Sequence, residues 1–471
     1  MDKVMHLDLL FNPKSVAIVG ASDHPGKIGN TVVFNVLQGS PRKLYPVNPN
    51  EEEVFGLKCY PNIKSLPEVV DLAVLAVPAK LTISVAKECA EAGVPYIICI
   101  AAGFGEIGEE GKAMEERLRE TIRGSKTRVI GPNTMGIIAP RSGLDTFFTP
   151  IDRSPRPGDG VISVISQSGS VLCGVYEGAE DTGVGLSTAI GLGNKVDLNE
   201  NDFIEYFKND DLTRCIVLYL ESFTDGRRFL DLCKEITPNK PVVAIKVGRT
   251  ERGAKAASSH TGALARGSDA LINGVFRQFG IERAYDEQEL LDYSKVLANL
   301  DHIDGDRIAV LSNTGGFAVI ATDYIESKEN GVGLRMATIS EQAKKEIMSR
   351  TLYFASAQNP VDLTGSVTDE TYGEVLEILQ KEKDIDAILI LLQLQAPQLT
   401  EGLADIVARI VNEGGKPAIV CAIGGSFPRP MLKKFEQKGI PAYGSLKRAV
   451  WSLRTLYDRG VYLKRIAAHD E

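Results

Sequence analysis

Short runs of apolar residues, separated by longer amphipathic stretches, recur along the whole chain. The runs lie at 15–19, 72–77, 96–100, 161–165, 215–220, 242–247, 308–311, 387–392 and 418–422. Stretches typical of helices, such as 110–123 and 225–235, lie between them. Apolar runs of this length fit parallel strands that are covered on both faces. Their alternation with helices indicates βαβ units, so the pattern predicts an α/β protein built on open parallel sheets.

Two breaks interrupt this alternation. Residues 154–160 read SPRPGDG, a proline- and glycine-rich stretch, and residues 299–306 read NLDHIDGD, a polar stretch before a new strand. Compact domains usually contain about 100–200 residues. The 471 residues are therefore expected to form three domains, at 1–150, 151–300 and 301–471, each with its own α/β sheet.

Composition and charge exclude several classes of protein. The net charge of −9 argues against general nucleic-acid binding, which requires a basic surface. None of the seven cysteines forms a CxxC pair, so neither a metal site nor a disulfide framework is expected. Asp8 interrupts the short apolar run at the start, which is unlike a signal peptide, and no run approaches the roughly 18 apolar residues of a membrane span. A cytoplasmic protein is expected.

A glycine-rich turn follows the first predicted strand. Gly20, Ala21 and Ser22 open it, Gly26 and Gly29 come next, and a helix is expected from about residue 30. Glycines between a strand and a helix allow a pyrophosphate to approach the backbone at the helix N-terminus. A plain tight connection is the alternative.

The second predicted strand, 43–47, makes this turn unlike an NAD site. The glycine spacing is not GxGxxG, and the strand ends in PVNPN without the acid that binds an NAD ribose. Arg42 and Lys43 open the strand instead. Basic residues suit a ligand with an extra phosphate, such as the 3′-phosphate of coenzyme A. Two solvated surface charges are the alternative.

The ends of the next three strands continue the pattern. Val77 and Pro78 follow the third strand, Ala101 and Gly103 lie in AAGFGE after the fourth, and Asn133 lies in GPNTMG after the fifth. Ligands bind at the carboxyl ends of open α/β sheets, so these residues are expected to line one pocket.

The second domain contains a candidate phosphate site. The strand at 161–165 runs into SQSGS, which includes Ser166, Ser168 and Gly169, and a helix is expected to begin there. Hydroxyl groups and N–H groups at a helix N-terminus bind anions. The motif is not GxSxG, which argues against a serine hydrolase. Simple N-capping by serine is the alternative.

His260 is the candidate nucleophile. It follows a strand end and a long polar loop of small residues and lies in AASSHTGA. A neutral imidazole nitrogen can accept a phosphoryl group. Glu221 closes the strand at 215–220, at the same sheet edge, and a carboxylate there can orient the imidazole. A structural histidine and an ordinary strand-end acid are the alternatives.

At these motifs the chain resembles the α subunit of ADP-forming acetate–CoA ligase and, more distantly, that of succinyl-CoA synthetase. The segments VGAS, YPVNPN, AAGFGE and GPNTMG resemble the CoA-binding domain of that family. The resemblance implies that Gly20, Ala21 and Ser22 approach the CoA phosphates. It also implies that Lys43 lies near the nucleotide end of CoA and Asn133 near the thiol end.

The segment around His260 resembles the phosphohistidine loop of the same family, and the Leu-Glu-Ser segment implies that Glu221 accepts a hydrogen bond from His260. The implied fold is a Rossmann-like CoA-binding domain followed by two flavodoxin-like domains, of which the last docks onto a partner. The implied reaction converts acyl-CoA, here acetyl-CoA, with phosphate and ADP to acid, CoA and ATP.

Nucleotide binding is expected from another polypeptide. The sequence contains no Walker motif and no fourth segment for an ATP-grasp domain. The expected partner is an ATP-grasp β subunit that carries Mg-ADP or Mg-ATP, in an α2β2 heterotetramer. A non-catalytic CoA-binding or regulatory subunit is the first alternative. An NAD-linked oxidoreductase is the second, and the missing ribose acid argues against it.

Overall fold

The computed structural model describes residues 7–261 and 269–470, without the side chains of 257–261 and 469–470. The chain forms two compact units. The first comprises Met1–Glu180 and Gly185–Leu290, and the second comprises Asp181–Val184 and Leu291–Glu471. The prediction of an α/β fold with parallel-sheet domains is confirmed, while the division into three domains stays a prediction. No helix within the described ranges is long and apolar enough to cross a bilayer.

The first unit begins with a five-stranded parallel sheet in the order β2-β1-β5-β6-β7, beside a small antiparallel hairpin, β3-β4. The strands are β1 Ser15–Val19, β2 Lys43–Val47, β3 Glu53–Val54, β4 Leu57–Lys58, β5 Leu72–Leu75, β6 Tyr96–Cys99 and β7 Arg128–Ile130. The helices are α1 Asp8–Phe11, α2 Ile28–Gln38, α3 Ala79–Ala92 and α4 Glu109–Ile122, with 3-10 turns at Ile63–Ser65 and Gly105–Ile107.

Strand β1 shows why the apolar runs are uninterrupted. Val16 and Ile18 pack into one hydrophobic cluster, whereas Ala17 and Val19 pack into another. Successive side chains of a strand point to opposite faces, so both faces of this sheet are covered.

A seven-stranded sheet in the order β14-β13-β12-β10-β11-β8-β9 also belongs to the first unit. Its strands are β8 Ile137–Ala139, β9 Leu144–Asp145, β10 Asp159–Ser166, β11 Leu186–Gly191, β12 Cys215–Leu220, β13 Val242–Lys246 and β14 Ile281–Arg283. Its helices are α5 Gly169–Thr182, α6 Glu200–Lys208, α7 Gly226–Ile236, α8 Glu251–Thr261 and α9 Asp269–Gln278, with a 3-10 turn at Pro140–Ser142. Strands β8 and β9 are antiparallel additions to an otherwise parallel sheet.

The second unit contains a six-stranded parallel sheet, β16-β15-β18-β19-β20, in which β17 also pairs with β15. Its strands are β15 Arg307–Ser312, β16 Arg335–Met336, β17 Val361–Asp362, β18 Ala387–Leu392, β19 Ala418–Ala422 and β20 Ala442–Tyr443. The remaining helices are α10 Glu287–Leu300, α11 Gly315–Glu326, α12 Glu341–Arg350, α13 Asp369–Lys381, α14 Leu403–Gly414, α15 Arg429–Gln437 and α16 Leu446–Asp470.

Both sheets of the first unit have a switch point, where the strand order reverses direction along the chain. It lies between β1 and β5 in the first sheet and between β10 and β12 in the second. Open α/β sheets bind ligands in the crevice outside the carboxyl ends of the strands at such points. The two crevices therefore locate the candidate site.

Candidate functional site

The glycine turn lies at the switch point of the first sheet. Gly20 has a φ of +90°, and its N–H donates to the carbonyl oxygen of Val47 at 2.9 Å. A Cβ on Gly20 would lie 2.4 Å from the carbonyl oxygen of Ala76, and one on Gly29 would lie 1.9 Å from that of Gly20. Only glycine fits at both positions, and the start of α2 consequently packs directly against the turn.

Two asparagines hold the rest of this turn. Asn48, in the PVNPN segment, donates from Nδ2 to the carbonyl oxygen of Ala21 at 2.8 Å. Asn30, in α2, donates to the carbonyl oxygen of Ser22 at 3.1 Å, and the Ser22 hydroxyl accepts the N–H of His24 at 3.1 Å. These bonds give the turn a fixed backbone before any ligand binds.

Val77 and Pro78 lie on the other side of the same crevice. Strand β5 pairs with β1, so both residues follow the carboxyl end next to Gly20. Pro78 is the N-cap residue of α3, and the Val77 side chain would come within 3.1 Å of a Cβ on Gly20. The structure thus brings these two predicted residues together with the glycine turn.

Asn133 connects three loops at this edge. It has a φ of +58°, and its N–H donates to the carbonyl oxygen of Ala101 at 2.8 Å. Its Nδ2 lies 3.3 Å from Oδ1 of Asn194, in the turn after β11, and Asn194 donates to Glu106 at 2.7 Å. Asn133 and Ala101 therefore lie together, next to a turn of the second sheet.

Glu106 organises the AAGFGE loop. Its carboxylate accepts the N–H groups of Gly103, whose φ is +98°, and of Phe104. Burial raises the pKa of Glu106, but the hydrogen bonds from Asn194 and from these backbone groups lower it by more, so the net pKa is below its usual value. This role of Glu106 was not predicted from the sequence, although an acid in a glycine-rich turn at a strand end was a signal for it.

Lys43 lies elsewhere. In the register of β1 with β2, Lys43 is opposite Ser15, whereas Val47 is opposite Val19 next to the glycine turn. At about 3.3 Å per residue, Lys43 lies roughly 13 Å from that edge. Its ammonium pairs with Glu68 at 2.7 Å on the surface. The geometry does not support the expected contact with CoA, because a residue that opens a parallel strand lies at the edge opposite to the binding crevice.

Arg42 has a structural contact as well. Its guanidinium donates to the carbonyl oxygen of Ser142 at 2.6 Å, and burial lowers its pKa. The basic pair that opens β2 is therefore directed away from the glycine turn.

The SQSGS segment lies at the switch point of the second sheet. The buried Ser166 hydroxyl donates to the carbonyl oxygen of Ser168 at 2.7 Å, and the Ser168 hydroxyl accepts the N–H of Val171 at 3.4 Å. Ser168 thus caps α5, as the alternative interpretation expected. A Cβ on Gly169 would lie 2.5 Å from Cγ of Met135, so the GPNTMG loop of the first sheet reaches the start of α5.

Glu221 lies across the same crevice, at the carboxyl end of β12, and is only 4% exposed. The N–H groups of Glu221 and Ser222 both donate to Oε1 of Gln167, at 2.7 and 2.9 Å. Nζ of Lys246 donates to the carbonyl oxygen of Glu221 at 2.9 Å, and Nζ of Lys195 donates to that of Ser222 at 2.8 Å. Neither lysine was predicted from the sequence as a residue of the site.

Both lysines are unusual. Lys195 has a φ of +58°, and its side chain, 5% exposed, pairs at 2.9 Å with the fully buried Glu200. Burial lowers the pKa of Lys195, and the Glu200 carboxylate opposes this only in part. Burial also lowers the pKa of Lys246, against the opposing effect of the Glu221 carboxylate. The sequence contained a signal for each lysine: Lys195 directly follows the glycine-rich segment GLGN, and Lys246 ends the apolar run VVAI.

The side chain of His260 lies outside the described residues. Its backbone belongs to α8, Glu251–Thr261, where the sequence predicted a loop. Alanine, lysine, glutamate and arginine in this segment favour a helix, which explains the difference. Helix α8 follows β13, the neighbour of the strand that bears Glu221, and lies against the 3-10 turn Gly105–Ile107. It therefore lies at the same edge as the two crevices.

Two family models match the two sheets of the first unit. A CoA binding domain matches residues 14–140, and a succinyl-CoA ligase like flavodoxin domain matches residues 159–297. Together they define a CoA-binding protein of the acyl-CoA ligase class.

Similar proteins identify the family within this class. The α subunit of ADP-forming acetate–CoA ligase I from Pyrococcus furiosus is 40% identical over 96% of this chain and 97% of its own length. ADP-forming acetate–CoA ligase I from Archaeoglobus fulgidus is 35% identical over 96% of this chain, which spans 63% of that longer protein. The structure of Ca. Korarchaeum cryptofilum acetyl-coenzyme A synthetase 1 in complex with phosphate and ADP matches with a TM-score of 0.87 and 34% identity, over 98% of each chain. This chain belongs to the ADP-forming acetate–CoA ligase family, which confirms the resemblance seen in the sequence.

Proposed function

We propose that the chain is the CoA-binding α subunit of an ADP-forming acyl-CoA ligase that uses acetyl-CoA. It converts acyl-CoA, phosphate and ADP to acid, CoA and ATP through a phosphohistidine on His260. The observation that carries this proposal is the joining of the two crevices: Asn133 meets Asn194, and Met135 meets Gly169, at one edge of both sheets. A thioester bound in the first crevice is thereby adjacent to an anion site in the second.

The reaction divides into three transfers. A phosphate oxygen attacks the thioester carbonyl, the C–S bond breaks, and the CoA thiolate leaves and is protonated. A neutral nitrogen of His260 then attacks phosphorus of the acyl phosphate, and the carboxylate leaves. Finally an oxygen of ADP attacks phosphorus, the P–N bond breaks, and neutral His260 is regenerated. Each transfer conserves the energy that hydrolysis of the thioester would lose.

The residues of the second crevice have distinct roles in these transfers. Ser168 and the N-terminal amides of α5 from Gly169 onward hold phosphate, because N–H groups and the helix dipole favour an anion there, and Ser166 shapes this turn through its bond to the carbonyl oxygen of Ser168. Glu221 accepts a hydrogen bond from His260, selects the reactive tautomer and stabilises the positive imidazole that forms on phosphoryl transfer. CoA is held in the first crevice by the residues of the glycine turn and of the neighbouring strand ends: Gly20, Ala21, Ser22, Val77, Pro78, Ala101, Gly103 and Asn133.

The nucleotide binds to a partner subunit in this proposal. The Archaeoglobus fulgidus relative is a single longer protein of which this chain spans 63%, and the Pyrococcus furiosus relative is named as a subunit. Both facts support a second polypeptide, which we propose to be an ATP-grasp β subunit that holds Mg-ADP or Mg-ATP in an α2β2 assembly. The domain at 301–471 is the proposed docking region for this partner.

The test of this proposal measures the transfer of labelled phosphate to this chain. The chain assembled with its partner is incubated with labelled phosphate and acetyl-CoA, and the label on this chain is measured. His260→Ala should abolish a label that is stable in base and lost in acid, and Glu221→Gln should slow its appearance roughly 10²–10⁴-fold. His302→Ala, at a histidine paired with Asp301, should label like the wild type. Normal labelling of His260→Ala would contradict the carrier role and favour a non-catalytic CoA-binding subunit.

A further inference from the structure

The backbone at the end of β12 is held by side chains instead of by neighbouring strands. Each of the four backbone polar groups of Glu221 and Ser222 is bonded to a side chain: both N–H groups to Gln167, and the two carbonyl oxygens to Lys246 and Lys195. These three side chains follow or end three other strands of the sheet, β10, β13 and β11. We call Gln167, Lys195 and Lys246 the clamp.

We propose that the clamp residues are positioning residues that fix the Glu221 carboxylate for its bond to the phosphate-carrying histidine. This inference rests on the proposed function and adds three residues to it. Beyond the last ladder bond of a strand the backbone is ordinarily free to move. A displacement of about 1 Å in a catalytic group can cost about 10²-fold in rate, so fixing this backbone has a direct effect on phosphoryl transfer.

Lys195 carries the strongest evidence. Its left-handed backbone is uncommon for a residue other than glycine and costs free energy, which the surrounding structure must compensate. Its ammonium is buried, and a buried charge is costly unless it is paired. Glu200 supplies the pair, and the remaining contact is the carbonyl of Ser222. The left-handed backbone and the buried ammonium are thus two unfavourable features at one residue. That residue donates a hydrogen bond to the carbonyl oxygen of Ser222, directly after Glu221.

The turn that contains Lys195 also reaches the CoA crevice. Asn194 bonds to Asn133, and a Cβ on Gly193 would lie 2.1 Å from the carbonyl oxygen of Pro132. The turn that bears Lys195 is therefore packed against the loop that bears Asn133. The clamp connects the thiol end of the proposed CoA site to the position of Glu221.

Electrostatics agree with this geometry. The Glu221 carboxylate interacts with the ammonium groups of both Lys195 and Lys246. Glu200 places a second anion beside Lys195, at 2.9 Å. Attraction between these opposite charges holds the Glu221 carboxylate in place, next to the backbone that the clamp binds.

The same sheet offers a matched control. Lys240 precedes β13, at the opposite edge, and its ammonium binds the carbonyl oxygens of Phe207 and Asp210. Burial lowers its pKa as well. Lys240 is thus a half-buried lysine that holds backbone carbonyls far from the proposed chemistry.

The experiment is a double-mutant cycle on the chain assembled with its partner. The phosphorylation rate constant is measured in a single turnover with labelled inorganic phosphate and saturating acetyl-CoA. Lys195→Met should lower it about 10–100-fold while the affinity for CoA changes less than about 2-fold. In the Glu221→Gln background the same substitution should cost less than about 3-fold, because residues that act as one unit are not additive. Lys240→Met should lower the Tm and leave the rate constant within about 2-fold.

Gln167→Met provides a second, independent variant if Lys195→Met does not fold, and the same non-additivity with Glu221→Gln is expected. Two results would contradict the positioning role of the clamp residues. One is full additivity of the effects of either clamp variant and Glu221→Gln on the phosphorylation rate constant, and the other is a loss of rate in Lys240→Met as large as that in Lys195→Met. Those results leave the proposed function intact, provided that His260→Ala still abolishes the label. Labelling of His260→Ala would instead remove the proposed function itself.

Discussion

A methyl group on Gly29 would lie 1.9 Å from the carbonyl oxygen of Gly20, a distance that no real contact tolerates. Either α2 or the glycine turn must therefore move in Gly29→Ala. Overpacking of this kind typically costs about 1–3 kcal/mol. We expect a lower free energy of unfolding and a weaker thermal stabilisation by CoA, both measurable by denaturation with and without CoA.

Gly274→Ala is the matched control for this substitution. Gly274 lies in α9, and a Cβ there would meet nothing within 4 Å. Alanine is favoured over glycine in a helix interior by about 0.5–1 kcal/mol, so this variant should be more stable than the wild type, with unchanged CoA stabilisation. Equal free energies of unfolding and equal stabilisation by CoA in the two variants would show that the turn is not tightly packed.

Glu106→Gln tests how the AAGFGE loop is held. The pKa of Glu106 is lowered in the folded chain, so the carboxylate contributes stability that is fully present above its ordinary pKa and is lost as the pH falls through its folded pKa. Glu106→Gln should therefore be less stable than the wild type at pH 7, and this difference should shrink below pH 4. Urea unfolding across this range measures it.

The exposed Glu110 lies in the neighbouring helix α4, and Glu110→Gln is the control, with a small effect at every pH. A stability difference for Glu106→Gln that grew toward low pH would contradict the role of the ionised carboxylate.

The N-termini of helices α5 and α7 permit a comparison at the scale of elements. Ser168 caps α5 through the N–H of Val171, and Asp225 caps α7 through the N–H of Arg228 at 3.0 Å. Removing either cap by an alanine substitution should cost about 1 kcal/mol of unfolding free energy. Only Ser168→Ala should also raise the KM for phosphate, because only α5 begins at the switch point. Steady-state kinetics at varied phosphate concentration provides the measurement, and equal KM values for the two variants would argue against an anion site at α5.

The elements that the sequence predicted best are strands buried on both faces. The predicted bounds 215–220, 387–392 and 418–422 coincide with those of β12, β18 and β19, because such strands are uninterrupted apolar runs. Strand β11 was not predicted, because the buried Ser187 and Thr188 interrupt its apolar run. Strands β8 and β9 were not predicted either, because they are too short to show a pattern.

The positions of some residues of the candidate site were predicted correctly from the sequence, and those of others were not. Residues at the carboxyl ends of predicted strands, such as Gly20 and Glu221, lie where the pattern placed them. Lys43 does not, because a basic residue before a strand indicates nothing about a ligand at the other end. The lysine after GLGN was visible in the sequence, but the role of Lys195 could not be predicted from it, since its partner Ser222 is brought to it only by the order of the strands in the sheet. His260 stays a prediction.

The whole chain should distinguish CoA from NAD. The turn at Gly20 lacks an acid at the end of β2, and Asn48 lies there instead, bonded to Ala21. A ligand that binds only the folded chain stabilises it by about 2.7 kcal/mol at 100 times its Kd. We expect CoA to raise the Tm of the isolated chain and NAD to leave it unchanged. Equal shifts, or a shift with NAD alone, would contradict the CoA assignment.

The antiparallel pairing of β8 with β11 sets an order of events during synthesis. Ile138 pairs with Ala189, and both are buried. At about 5–20 residues per second, the ribosome adds Ala189 roughly 3–10 s after Ile138. Once β7, β8 and β9 have left the ribosome, the first sheet can be complete, while β8 and β9 form an apolar hairpin that still lacks its partner strand β11. The nascent chain is therefore exposed to aggregation until β11 follows β9 out of the ribosome, and slowing translation between these two events should lower the yield of folded protein more than slowing it in the second unit.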